Sequence, residues 1–264
     1  FGKRSGANVL VLYSFHTNRF RDWQTSQGES LVAGDTDDLL SYKVIYEENI
    51  EKVAYYDIGR QMIDGRIPFD VCILGDGIFV ADDFSETSLA SYDVVVSADC
   101  GFLTKNQAET LKKYAAKKPL FIYGSYGENL PGEKDAAVKD GARFWPERVD
   151  REEALREFCR AVEDACYPCR MVDWDNGNLY VQQTIAGGAR VLHVFNYGFD
   201  KTAYRTIPQD VSITLRSAKG FSVRGLTLDD SPVQITRISE SGDSLRIRAK
   251  NLPCYTMFVF EKRE

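Results

Sequence analysis

The sequence predicts an α/β plus all-β protein, a doubly wound parallel sheet followed by an antiparallel β-sandwich. Up to about residue 168, strand-like apolar runs alternate with helical patterns, the signature of strand–helix–strand units. From Asn178 onward, β-branched and aromatic runs are separated only by turn signals, with no helix-length pattern between them. Charge changes at the same place. Residues 1–168 carry 20 basic and 29 acidic side chains, net −9, and residues 169–264 carry 13 and 10, net +3. The expected domains are therefore 1–168 and 169–264, with the boundary near Cys169.

Each element has its own reason. Residues 8–14 form a continuous apolar run of the kind buried on both faces of a parallel sheet. Residues 37–48 and 49–64 read as helices. In the second, Ile50, Val53, Ala54, Ile58 and Met62 recur at three and four, and Gly65 stops the helix before a strand at 69–74. A strand at 92–97 leads to Thr104, which starts a helix as a capping box with Gln107 and runs to about Ala116. Residues 120–123 form the next strand. Asp150 and Glu153 open a helix with Leu155, Phe158, Cys159, Val162 and Cys166 on one face, ended by Pro168. The sandwich strands are expected at 179–185, 191–197, 211–215, 221–228, 233–238, 245–249 and 256–261. Gly187-Gly188 and Gly242-Asp243 mark turns between them.

Composition excludes several functions. With 33 basic against 39 acidic residues, net −6, the chain is not a general nucleic-acid binder. No apolar run approaches the roughly 20 residues that span a bilayer, so no membrane partner is expected. The chain starts Phe1-Gly-Lys-Arg, which reads as a processed terminus or a piece of something longer. A soluble protein is expected, with cytoplasmic and exported locations both open. Cys72, Cys100, Cys159, Cys166, Cys169 and Cys254 read as structural thiols, because a chain this long needs no disulfide framework. Cys72, in an apolar run, is expected to be buried. A disulfide among Cys159, Cys166 and Cys169 stays open for an exported chain.

In a doubly wound sheet, ligands sit beyond the carboxyl ends of the strands. Those ends bring Ser14, His16, Asp76, Cys100, Ser125 and Tyr126 into a candidate ligand pocket, although any such edge needs glycines and polar caps to turn the chain. Ser125 resembles an elbow nucleophile, with Gly127 in place. Tyr123, however, occupies the other glycine position, and only His16 and His193 exist as bases. Cys100 lies too far before the Thr104 helix for its N-terminus to lower the thiol pKa. Cys166-Tyr167-Pro168-Cys169 closes a helix where a redox motif would open one, and it lacks a second pair for zinc. Asp35, Asp37 and Asp38 read as a helix start. Trp23, Trp145, Trp174 and Tyr180 could stack on sugars, but each also suits packing. No catalytic residue, metal or cofactor is assigned.

The segment from Tyr92-Asp93-Val94-Val95-Val96-Ser97 through Leu103-Thr104 and Gln107 to Leu111 and Tyr114 resembles a segment in the C-terminal half of certain multidomain glycoside hydrolases. In family-42 β-galactosidases it belongs to a class I glutamine amidotransferase-like domain, the trimerisation domain. Leu192-His193-Val194-Phe195-Asn196-Tyr197 and Asn251-Leu252-Pro253-Cys254-Tyr255 resemble the opening and closing strands of the β-sandwich that follows it. The resemblance implies a flavodoxin/amidotransferase-like first domain and an accessory or oligomerising role. It also implies a catalytic (β/α)₈ barrel upstream, a carbohydrate substrate and self-association. Ser125-Tyr126 stands where the amidotransferase cysteine would be, so the glutaminase machinery is expected to be lost. The competing expectation is a stand-alone hydrolase or carbohydrate-binding protein of the trehalose-utilisation type, kept open by His16.

Overall fold

The computed structural model describes residues 4–14, 17, 54–78, 80–146, 150–228 and 233–263. His16, Trp23, Asp35, Asp37, Asp38 and the helix expected at 37–48 lie outside them.

Five strands form one sheet in the order β3-β2-β4-β5-β6. They are β2 (Val9–Ser14), β3 (Phe69–Leu74), β4 (Val94–Cys100), β5 (Leu120–Tyr126) and β6 (Arg143–Trp145). The β2/β4, β4/β5 and β5/β6 pairs are parallel. All seven residues of the central strand β4 are buried, Ser97 and Asp99 among them, as a strand covered on both faces requires. The helices are α1 (Ala54–Asp64), α2 (Glu86–Leu89), α3 (Lys105–Ala115), α4 (Glu133–Lys139) and α5 (Arg151–Cys166). Side chains alternate across the sheet. Leu10, Leu12, Val95, Leu120 and Ile122 cluster with Leu89, Ala108, Leu111, Tyr114 and Ala137 of α2, α3 and α4. Phe121 and Tyr123 face the other way, and Phe158 of α5 meets them edge-on at 6.2 and 5.3 Å.

The capping box at Thr104 is present: its side chain accepts from the Gln107 amide, and Gln107 returns a bond to the Thr104 amide. Cys72 corrects an expectation. It is half-buried, because β3 is the end strand of its sheet, and Val71 and Ile73 beside it are 43% and 59% exposed. α2, α4 and β6 went unread because four, seven and three residues are too short for a period to show.

Two antiparallel sheets share a single apolar core. One runs β1-β8-β9-β16-β13, from β1 (Arg4–Ser5), β8 (Leu179–Ala186), β9 (Ala189–Asn196), β16 (Tyr255–Lys262) and β13 (Phe221–Thr227). The other runs β14-β15-β12-β7, from β14 (Gln234–Ser241), β15 (Ser244–Leu252), β12 (Gln209–Leu215) and β7 (Val172–Trp174). Val181, Leu192, Val194, Phe258 and Phe260 of the first meet Ile213, Leu215, Leu245 and Ile247 of the second in one cluster. Two-residue strands β10 (Phe199–Asp200) and β11 (Arg205–Thr206) pair separately. Gly187 and Gly188, at φ +57° and +86°, supply the left-handed pair that a two-residue hairpin needs.

The compact units are not two consecutive stretches. One combines the described residues of Phe1–Asn8, Met62–Asp70 and Tyr167–Glu264; the other combines those of Val9–Gln61 and Val71–Cys166. β1 pairs with β8 through Arg4↔Ile185 and Ser5↔Thr184. The helix stop also differs from the one expected at Gly65. The left-handed residue is Arg66, at φ +57°, and the Ile67 amide closes on the Met62 carbonyl at 2.8 Å. Arg66 Nη1 donates to the Trp174 carbonyl at 3.0 Å, and its own carbonyl accepts from Arg170. These bonds offset the strain of a non-glycine residue in that region.

All six cysteines are unbridged thiols. Burial on the inner face of α5 pushes the Cys159 thiol up to about 12. A thiol raised in the folded chain contributes stability that is whole below its unfolded pKa of about 9 and is lost as pH rises toward 12. Urea midpoints measured from pH 8 to 11 should therefore fall more steeply for the native chain than for Cys159→Ala. Parallel slopes would refute a buried thiol.

Candidate functional site

The carboxyl ends of β4 and β5 are locked together by a bulge. Ala98 is opposite Tyr123 and Cys100 opposite Tyr126, so Asp99 alone faces Gly124 and Ser125. Asp99 and Gly124 both take left-handed backbone, at φ +58° and +71°. Aspartate tolerates that conformation better than most residues, and glycine bears no Cβ to resist it. Asp99 is buried, and its Oδ1 accepts the Ser125 amide at 2.9 Å. The Gly127 amide donates to the Cys100 carbonyl at 3.0 Å and the Glu128 amide to the Gly101 carbonyl at 2.6 Å, which turns the chain away.

The expected pocket residues have separate fates. Ser125 and Tyr126 line one concavity of about 340 Å³ with Gly124, Glu128, Lys134 and Phe144. Ser14 and Asp76 do not line it. Ser14 Oγ is buried, donating to the Phe102 carbonyl at 2.9 Å and accepting from the Thr17 hydroxyl at 2.8 Å. Thr17 in turn accepts the Phe102 amide at 2.9 Å, so this trio ties β2 to the loop after β4. Asp76 folds its own loop by accepting the Ile78 and Val80 amides at 3.0 and 2.9 Å. Cys100 is fully buried, its thiol directed at the Leu12 carbonyl 3.7 Å away.

The geometry of Ser125 is not that of an elbow nucleophile. Such a serine sits on a strained turn running straight into a helix. Ser125 lies inside β5 without positive φ, and α4 starts only at Glu133. His193 lies in β9, where Nδ1 meets the Tyr255 hydroxyl at 2.6 Å. Among the described residues, no group of three or more His, Cys, Asp or Glu could hold a metal.

Tyr126 is the informative member of the concavity. It is 2% exposed, its hydroxyl has no hydrogen-bond partner among the described residues, and burial raises its pKa. A buried hydroxyl without a partner is costly, and the ring it belongs to packs in the apolar cluster with Cys100 and Ala137. Lys134 Nζ stands 4.8 Å from the Phe144 ring centroid, holding a cation at the rim. Asp99, Lys134 and Phe144 were not read as site residues. Asp99 matters through a bulge that only the strand register creates, and Lys134 and Phe144 come from elements too short to recognise. Trp174 and Tyr180 are core residues, the indole donating to the Leu179 carbonyl at 2.9 Å. Trp145 stacks on Phe121.

No protein-family model matches the sequence, and no curated protein matches it. Solved glycoside hydrolases share its fold. An α-L-fucosidase isoenzyme 2 from Paenibacillus thiaminolyticus aligns with all of this chain at a TM-score of 0.54 and 12% identity. A GH42 β-galactosidase from G. stearothermophilus aligns with 97% of it at a TM-score of 0.50 and 11% identity. The chain spans 50% of the fucosidase chain and 40% of the galactosidase chain. At these identities the likeness is one of fold.

Proposed function

We propose that this chain is the non-catalytic accessory region of a glycoside hydrolase whose (β/α)₈ catalytic barrel lies elsewhere in the same polypeptide. In this reading most of 1–168 is an amidotransferase-like domain with a flavodoxin-like wound sheet, 169–264 together with β1 is a β-sandwich, and the region buttresses or oligomerises the barrel. The observation that carries it is one of coverage. Two glycoside hydrolases reproduce the fold along essentially all of this chain while half or more of each remains unmatched. The unstrained Ser125, inside a strand and not at a strand-to-helix turn, supports a scaffold over a hydrolase. Exposed Phe195, Tyr197, Phe199 and Leu228 supply apolar surface of the sort an accessory domain uses.

The test is turnover by the purified chain. With aryl α-L-fucoside, aryl β-galactoside, glutamine and an aryl ester, rates should equal those of buffer. Turnover that Ser125→Ala or His16→Ala abolishes would overturn the proposal. It would install the second reading, a stand-alone hydrolase or carbohydrate-binding protein, whose ligand would have the concavity lined by Ser125, Glu128, Lys134 and Phe144 to occupy.

A further inference from the structure

The sheet ordered β14-β15-β12-β7 turns one face to the core and the other to solvent. Along β15, Leu245, Ile247 and Ala249 are buried, and Arg246, Arg248 and Lys250 alternate with them as exposed residues. Outward side chains on one strand stand about 7 Å apart, so three cations form a file. The register surrounds them with hydroxyls. Arg246 lies between Thr214 and Ser239, and Ser212 lies beside Arg248. A concavity of about 190 Å³ opens there, lined by Ser212, Ser239, Arg246, Ile247 and Arg248.

None of the nearby carboxylates among the described residues pairs with Arg246 or Arg248. Asp175 accepts the Ser212 amide at 2.8 Å, and Asp210 accepts the Asn251 amide at 3.0 Å. Asp173 pairs with Arg170 and Arg216, both at 3.1 Å. Among the described residues, neither Arg246 nor Arg248 makes an ion pair or side-chain hydrogen bond. Like charges side by side on a strand repel, and guanidiniums offer donors only. The serine hydroxyls can add donors of their own. Such a donor-rich hollow matches an oxyanion, which arginine binds through paired N–H groups.

We propose that Arg246 and Arg248, with Ser212 and Ser239, bind the carboxylate or sulfate group of an anionic glycan. The shallow, open sheet surface suits a group projecting from an extended chain. The oxyanion site stands on its own observations, whereas its assignment to a glycan rests on the glycoside-hydrolase reading.

The experiment is calorimetric titration of the whole chain at fixed ionic strength with oligogalacturonate, sodium sulfate, neutral oligogalactose and a single-stranded oligonucleotide. Oligogalacturonate should saturate one site, sulfate should compete for it, and oligogalactose should give no heat at that site. Arg246→Ala and Arg248→Ala should each weaken oligogalacturonate at least about tenfold, the scale of a lost charged hydrogen bond. Both variants are solvent-facing, so their melting temperatures should match the native chain, and Lys262→Ala should bind normally. Sulfate binding without oligogalacturonate binding, or preference for the oligonucleotide, would overturn the glycan assignment while leaving the anion site. Absence of saturable binding, or affinities unchanged in both arginine variants, would overturn the site. None of these readouts depends on turnover, so the site and the accessory role fail separately.

Discussion

Phe158→Ala should cost about 3–5 kcal/mol, the usual penalty for emptying a ring-sized site in a close-packed core. Phe158 is fully buried on α5 and lies edge-on to Phe121, Tyr123 and Trp145 at 6.2, 5.3 and 5.3 Å. Those three rings belong to β5 and β6 and are held by their strands, so the cavity has little freedom to collapse. A domain's whole stability is on the order of 5–15 kcal/mol, and the variant should populate unfolded chains readily. Urea denaturation, with hydrogen exchange of the β4 and β5 amides as the local readout, measures the loss. Phe158→Leu, which leaves a smaller void, should fall well short of it. A loss below about 1 kcal/mol for Phe158→Ala would mean that α5 does not pack on this face of the sheet.

Gly124→Ala should be costlier than its small size suggests. Alanine at a left-handed φ of +71° is strained by about 1–2 kcal/mol. Its Cβ would also fall 2.9 Å from Asp99 Oδ1 and 3.2 Å from Cγ. Asp99 cannot simply retreat, because it is buried, left-handed itself, and holds the Ser125 amide. Breaking that bond leaves a buried polar group unpaired, a further 1–3 kcal/mol or so. Gly132→Ala is the matched control. Gly132 has φ +87°, with nothing within 4 Å of the added Cβ, so it should show the strain alone. Equal losses for the two variants would mean that the β4–β5 bulge does not hold Ser125 in place.

These two sites differ in how legible they were. Phe158 belongs to a sixteen-residue helix whose apolar spacing marks Leu155, Phe158, Cys159, Val162 and Cys166 as one face, and all five are buried. The Thr104–Gln107 box was equally readable, since it needs only neighbours three residues apart. The strands from Leu179 to Lys262 follow the alternation and the glycine turns to within a few residues. The bulge at Asp99 has no such local cause. Its left-handed aspartate and the facing Gly124 are 25 positions apart, and they matter only because β4 and β5 pair in one register.

The sequence by itself determined the type of each long element and the parallel and antiparallel halves, because periodicity and capping are short-range properties. Tertiary structure decided three other things. It joined Arg4–Ser5 and Met62–Asp70 to the C-terminal unit, since pairing partners such as Ile185 and Trp174 lie beyond any local period. It separated Ser14 and Asp76 from the concavity that takes Ser125 and Tyr126, because residues at a shared sheet edge are consumed by the nearest amide or hydroxyl. It also lined up Arg246 and Arg248 with serines from two neighbouring strands. Alternation along a strand shows which residues face solvent, but only the register says what stands beside them.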